Sequence, residues 1–178
     1  MASSLFDLTG KVALVTGAHR GIGYAIAEQM GLAGAAVAIC SNDAPGVAQA
    51  AERLAAQGIK ALGIACDVGV DADLDRLVAQ TEAAFGPIGV LVCNAGINPH
   101  FGPMVTATDA EYDATMRINL RSAVQLCDRV VPAMAARGDG VVILTSSLSG
   151  LRGNGKIGVY ALTKAAIAQL ARNIAVAY

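Results

Sequence analysis

The chain has 178 residues, with 13 basic and 14 acidic side chains and a net charge of −1, which gives length for one sizeable core and no charge excess to hold nucleic acid. Although 54% of the residues are apolar, much of that is alanine and valine, and no unbroken run approaches the ~20 residues of a membrane span. Nucleic acid and membrane are therefore both excluded as partners.

Taken in order, the opening residues lack the charged start, apolar stretch and cleavage site of a secretory leader, because Ser3, Asp7 and Lys11 interrupt them. A cytoplasmic location is expected. Cys40, Cys66, Cys93 and Cys127 are widely spaced, and His19 and His100 fall in loops far apart in the chain. That pattern suits small core thiols in a reducing compartment, with no disulfide frame and no metal site.

Residues 12–15 form an apolar run without polar alternation, the signature of a strand covered on both faces in a parallel sheet. Gly17, Gly21 and Gly23 follow, and Ile22, Ile26 and Met30 recur at helical spacing, so the glycines lie where a strand becomes a helix. A helix start offers unpaired N–H groups and the positive end of a dipole, and residues without Cβ let a pyrophosphate come close. The same glycines would also serve a plain strand-to-helix turn, and the spacing TGxxxGxG departs from the common GxGxxG.

Gly34 ends the first helix, and 36–40 reads as the second strand. Pro45 opens a helix running to about Gln57, closed by Gly58. Residues 61–66 make a third strand, 71–85 a helix stopped by Gly86 and Pro87, and 89–93 a fourth strand followed by Asn94, Ala95 and Gly96. A loop with Pro99, Gly102 and Pro103 leads to Thr108, the expected N-cap of one long helix from 109 to about 136 that Pro132 bends near its last turn. Residues 141–145 form a fifth strand. The helix from Val159 reaches Tyr178 with no glycine, proline or polar cap, the pattern of a chain that stops inside an element. Strands alternating with helices require crossover connections, hence an α/β fold with a parallel sheet and helices on both faces.

Ligands of such sheets bind outside the carboxyl ends of the strands, which here carry Gly17, Ser41, Asp67, Asn94 and Ser147. Tyr160 and Lys164 stand four apart on one helical face, where an ammonium can favour the phenolate and bring the tyrosine towards acid–base work at neutral pH. Ser147 can hydrogen-bond a reacting oxygen from another side. By themselves a Tyr–Lys pair and a turn serine are equally what a surface helix produces by chance.

Together, TGAHRGIG from Thr16 to Gly23, CNAG from Cys93 to Gly96, Asn119, Ser147 and the YxxxK pair Tyr160 and Lys164 resemble the short-chain dehydrogenase/reductase family, in its order and over essentially the whole chain. The resemblance implies a Rossmann-like, doubly wound, three-layer αβα domain over residues 1–178, with strand order 3-2-1-4-5. It implies NAD(P)-dependent alcohol oxidation or carbonyl reduction of a small molecule, of the 3-oxoacyl reductase type or another. In it Tyr160 exchanges the proton, Lys164 binds ribose and lowers the tyrosine pKa, Ser147 orients substrate and Asn119 supports a water-mediated relay. Outside the family, Asn119 would be a lone exposed helical asparagine, and Asp67 an ordinary loop or cap residue. The cofactor-contacting set is Gly17, His19, Arg20, Gly21, Ile22, Gly23, Ser41, Asn42, Asp67, Val68, Asn94, Ala95 and Gly96, with Tyr160 and Lys164.

An acidic residue about 20 positions after the glycine turn would pair with a ribose 2′-hydroxyl and repel a 2′-phosphate. Here the second strand ends at neutral Ser41 and Asn42, and Arg20 can meet a phosphate, which favours NADP(H) over NAD(H); Asp43 is near enough to reverse the preference. Two departures stand out. Cys93 replaces the asparagine usual before NAG, and the further strand, proline-glycine segment and substrate lid of the family do not follow. A non-catalytic dinucleotide-binding protein or inactive fragment stays open, and an extended-type epimerase or dehydratase is disfavoured by the glycine spacing. Leu120, Val124, Cys127 and Val131, with Ile167, Leu170 and Ile174, form helix rows that either face the sheet or, as commonly in the family, join a homodimer or homotetramer.

Overall fold

The computed structural model describes residues 5–178, so Ser3 of the leader reading lies outside the described residues. Five strands alternate with helices: β1 (Val12–Thr16), α1 (Gly21–Leu32), β2 (Ala36–Ser41), α2 (Ala44–Ala55), β3 (Ala61–Ala65), α3 (Asp71–Phe85), β4 (Val90–Cys93), α4 (Asp109–Met116), α5 (Ser122–Arg137), β5 (Val141–Leu144) and α6 (Gly158–Ala177). All strand pairs are parallel, in the order β3-β2-β1-β4-β5.

The apolar run of β1 is buried throughout because it is central and covered on both faces. Alternate side chains feed two separate cores. Ala13 and Val15 join Val37, Ile39 and Val92 beneath Ala27 of α1 and Val47 and Leu54 of α2. Leu14 joins Ala38 and Leu91 beneath Leu74 and Leu77 of α3, Leu126 of α5 and Ile167 of α6. Each fully buried leucine or valine contributes roughly 1.5–3 kcal/mol of transfer free energy. The helix rows at Leu120, Cys127, Val131, Leu170 and Ile174 belong to this second core, so they face the sheet.

Two departures from the sequence expectation bear on function. The long helix is not uniform: α4 and α5 are joined by a π-helical turn, Arg117–Arg121. The wider turn changes the phase of the helix, and Asn119 within it is 2% exposed, which rules out the lone exposed asparagine of the reading outside the family. Beyond it α5 runs past Pro132 to Arg137, where Gly138 adopts a left-handed φ of 66°.

The second departure is β5, which lacks the two-sided cover of an inner parallel strand. Val142 and Leu144 pack on the core under α5 and α6, whereas Val141 and Ile143 on the other face are 52% and 40% exposed. α1 and α2 cover the sheet only as far as β4 on that side. At the helix starts, Thr108 and Glu111 form a reciprocal capping box, and Asp43 caps α2 by accepting from the Gly46 N–H at 3.0 Å. α1 has no such cap, because its N-cap is Arg20, which places no side-chain acceptor on the first turn. Its N–H groups are left for another acceptor.

Candidate active site

The carboxyl ends of β1 and β4 are stitched together before any ligand is considered. Thr16 Oγ1 accepts from the N–H groups of Asn94 and Ala95 at 3.0 and 3.1 Å, and Asn94 Nδ2 donates back to the carbonyls of Thr16 and Gly17 at 3.0 and 3.2 Å. This lattice holds the glycine turn tight against the CNAG segment. A Cβ on Gly17 would come 2.8 Å from Ala95 Cα, and one on Gly23 would come 2.5 Å from the Gly17 carbonyl oxygen. Both positions therefore admit glycine alone, and they leave a backbone cradle at the open start of α1.

That cradle is one wall of a cleft of about 590 Å³ along the carboxyl edge of the sheet. Gly17, His19, Arg20, Gly21, Ile22 and Gly23 come from the first turn, Ser41 and Asn42 from the end of β2, Asp67 and Val68 from beyond β3, and Asn94, Ala95 and Gly96 from beyond β4. The structure thus brings together all thirteen of the sequence-expected contacts that precede Asn119. Four lining residues were missed: Cys66, Ile97, Arg117 and Ile118. The first two sit beside expected positions in the chain. Arg117 and Ile118 reach the cleft only through the π turn, for which the sequence carried no periodic signal.

Asp67 has a local role as well. Its carboxylate accepts from the Gly69 N–H at 2.8 Å, and its own N–H donates to Asp73 Oδ2 at 2.8 Å in the first turn of α3. That bond, helped by Arg76, holds the Asp73 carboxyl below the usual carboxylate range.

Tyr160, Lys164, Ser147 and Asn119 are not among the residues that line the cleft, although Lys164 and Asn119 approach it at Gly96. Lys164 is 4% exposed and donates from Nζ to the Thr145 carbonyl at 2.7 Å, with the ammonium 5.5 Å from the Tyr160 ring centroid. Burial pushes its pKa down. Any Cβ on Gly96 would be 3.7 Å from Lys164 Nζ and 3.4 Å from Asn119 Oδ1, so the lysine head and the asparagine meet the cleft at its Asn94–Gly96 edge. Ser147 accepts from the Ser149 N–H at 3.1 Å and keeps its own O–H to donate. Ser146 donates to the Lys164 carbonyl at 2.7 Å, tying the β5 end to α6.

The Asn119 amide is committed to protein partners. Its Oδ1 accepts from the Ile97 N–H at 2.7 Å, and Nδ2 donates to the Ile97 carbonyl at 2.8 Å and to Thr163 Oγ1 at 3.2 Å. Thr163 in turn donates to the Tyr160 carbonyl at 2.7 Å. Both amide hydrogens are used, so this side chain positions the CNAG loop and the start of α6 relative to each other. Among the described residues no group of three or more His, Cys, Asp or Glu side chains could hold a metal, and no helix is long and apolar enough to cross a membrane.

The short chain dehydrogenase family model matches residues 11–178. A human relative, dehydrogenase/reductase SDR family member 4, is 36% identical over 95% of this chain and 61% of its own length. The Arabidopsis thaliana short-chain dehydrogenase/reductase SDRA is 35% identical over 94% of this chain and 65% of its own length. A solved structure from Agrobacterium tumefaciens, a candidate gluconate dehydrogenase, superposes with a TM-score of 0.91 at 32% identity, covering 96% of this chain and 67% of that one. The chain spans less than two thirds of the length of these curated relatives. With sheet order, glycine cradle and motif set all in agreement, the chain belongs to the short-chain dehydrogenase/reductase family.

Proposed function

We propose that residues 1–178 form one dinucleotide-binding Rossmann unit of an oxidoreductase that moves a hydride between NAD(P) and an alcohol or carbonyl substrate, 3-oxoacyl compounds among them. The observation that carries this reading is the continuous cleft from the Gly17–Gly23 cradle to Gly96, with Lys164 Nζ at its end. The cradle fits a pyrophosphate because glycine at 17 and 23 lets the turn pack tightly against Ala95 and Asn94, and because the first turn of α1 has N–H groups without a side-chain cap. A bound nicotinamide dinucleotide would supply the hydride chemistry.

The remaining tasks fall to the chain's own residues. Tyr160 gives or takes the proton of the substrate oxygen, with the Lys164 ammonium beside its ring favouring the phenolate. Ser147 donates its free O–H to that same oxygen. Asn119 keeps the CNAG loop and α6 in register, and its backbone turn is the place for the water relay implied by the resemblance. Tyr160→Phe is expected to lower turnover by about 10²–10⁴-fold while dinucleotide binding stays within a factor of about two. Unchanged turnover would remove Tyr160 from the mechanism, and dinucleotide binding with no turnover in the unsubstituted chain would favour a non-catalytic binding protein.

Arg20 and neutral Ser41 and Asn42 in the cleft support NADP(H) over NAD(H). Asp43, the residue that could reverse this, is engaged by the Gly46 N–H. Calorimetric dissociation constants for the two dinucleotides test the preference; tighter NAD binding would refute it.

A further inference from the structure

Two loops meet where α6 begins. The Gly102 N–H donates to the Lys156 carbonyl at 2.7 Å, and Gly102 forms a parallel bridge with Ile157, the residue before the helix opens at Gly158. Met104 packs on the same junction, since a Cβ on Gly158 would come 2.7 Å from the Met104 Cβ. The short turn after Ser147, Leu148–Gly150, is seated on α6 one turn further along: a Cβ on Gly150 would come 2.7 Å from the Lys164 carbonyl carbon. Tyr160, in the first turn of α6, is therefore flanked by both loops.

What these loops expose is apolar. Phe101, Leu148 and Leu151 are 74%, 70% and 76% exposed, and Met104 is exposed beside them. Large apolar side chains gathered at one place mark a binding surface, whereas scattered ones need no explanation. The charge there is one-sided. Residues 94–108 and 140–178 contain no aspartate or glutamate, while Arg152 and Lys156 stand in the second loop. Neither cation pairs with a carboxylate among the described residues. Lys156 is held in place: its N–H and that of Ile157 donate to Asn154 Oδ1 at 2.9 and 3.2 Å, and its Nζ lies 5.8 Å from the centroid of the Phe101 ring. Glu111, which meets the first loop at 3.5 Å from His100 Nδ1, already accepts from the Thr108 N–H and hydroxyl, each at 2.9 Å. Apolar walls with cations at the rim and no counter-charge complement a molecule with an apolar body and an anionic end. We infer that the space beside Tyr160 takes a carbonyl compound of that kind, a keto acid whose apolar body lies on Phe101, Leu148 and Leu151 and whose carboxylate meets Lys156 and Arg152. The inference rests on the oxidoreductase reading above and names the substrate class which that reading leaves open.

The test is calorimetric titration of the chain saturated with NADP⁺ or NAD⁺, whichever binds more tightly, because the oxidised dinucleotide leaves a ketone unreacted. Three ligands are compared: 4-oxo-4-phenylbutanoate, its methyl ester, which lacks the charge, and 4-oxopentanoate, which has a methyl group in place of the ring. The phenyl acid is expected to bind about tenfold more tightly than either of the others. Replacing both cations, Arg152→Gln with Lys156→Gln, should bring the acid to the affinity of its ester and leave the ester within about twofold. Phe101→Ala with Leu151→Ser should weaken acid and ester together by about tenfold and 4-oxopentanoate by less than about twofold. Equal affinity of acid and ester removes the cations from recognition, and equal affinity of the two acids removes the apolar walls; either result overturns the proposal and leaves the oxidoreductase reading intact. If the apolar pair of substitutions changes the sedimenting mass and no ligand affinity, the face belongs to a second copy of the chain, which overturns the proposal as well. A chain that binds neither dinucleotide defeats the oxidoreductase reading, and the proposal with it. All four replaced residues are exposed, and Lys156→Gln alone carries the charge comparison if the double variant loses its melting transition.

Discussion

At Gly23 a methyl group would meet the Gly17 carbonyl oxygen at 2.5 Å and Asn94 Nδ2 at 2.6 Å, neither of them the free end of a flexible side chain. Gly23→Ala should therefore destabilise the fold by about 1–3 kcal/mol through overpacking and also push the cradle open, weakening dinucleotide binding. A urea melt and a titration on the same preparation check both parts; a variant with native stability and native affinity would show that the turn yields more easily than its contacts suggest. Asn119 shows what sequence can hide at this scale. As a letter it is a helical asparagine, but in the structure it is 2% exposed and supplies three hydrogen bonds between the CNAG loop and α6. The motif pointed to the residue. The tertiary partners Ile97 and Thr163, far from it in the chain, give it its task.

Among the elements, α3 has its start tied to the cleft through Asp67. Asp73 accepts from the Asp67 N–H at 2.8 Å and pairs with Arg76 at 2.8 Å, and the two together hold its carboxyl low. A carboxyl depressed in the native state binds its proton less readily there than in the unfolded chain. Its stabilisation is therefore present above the unfolded value near ~3.9 and is lost as pH falls through the lower folded value. Asp73→Asn should lower the melting temperature at neutral pH, and the gap from the native chain should close as pH falls through that window. A gap that persists unchanged at pH 2 would mean the charge is irrelevant. Strands and helix starts were legible in this chain because each depends on local chemistry: the apolar run at 12–15, Thr108 as an N-cap, Pro45 at a helix start. The π turn at Arg117–Arg121 was not, since an extra residue within a helix leaves the apolar spacing close to what an unbroken helix would show.

For the molecule as a whole, the consequential feature is the outer strand. Among the described residues β5 pairs only with β4, and its Val141 and Ile143 face outward on the side that α1 and α2 do not reach. Apolar edge strands of this kind template association. The chain should therefore self-associate with concentration in light scattering, and Ile143→Lys should suppress this without loss of the melting transition; equal scattering by both would assign association to another surface. A defined homodimer or homotetramer, as the family resemblance suggests, would instead give one fixed mass by sedimentation that Ile143→Lys does not alter. The amino-acid sequence by itself determined the alternation of strands and helices, the glycine turn and, through the family resemblance, thirteen of the residues bordering the cleft, because periodicity, turn chemistry and short motifs are local. Tertiary structure alone decided that Arg117 and Ile118 reach the cleft, that Asn119 is a buried strut and that β5 is covered on one face. Those outcomes depend on which distant elements pack together, and burial and hydrogen-bond satisfaction are settled only when they do.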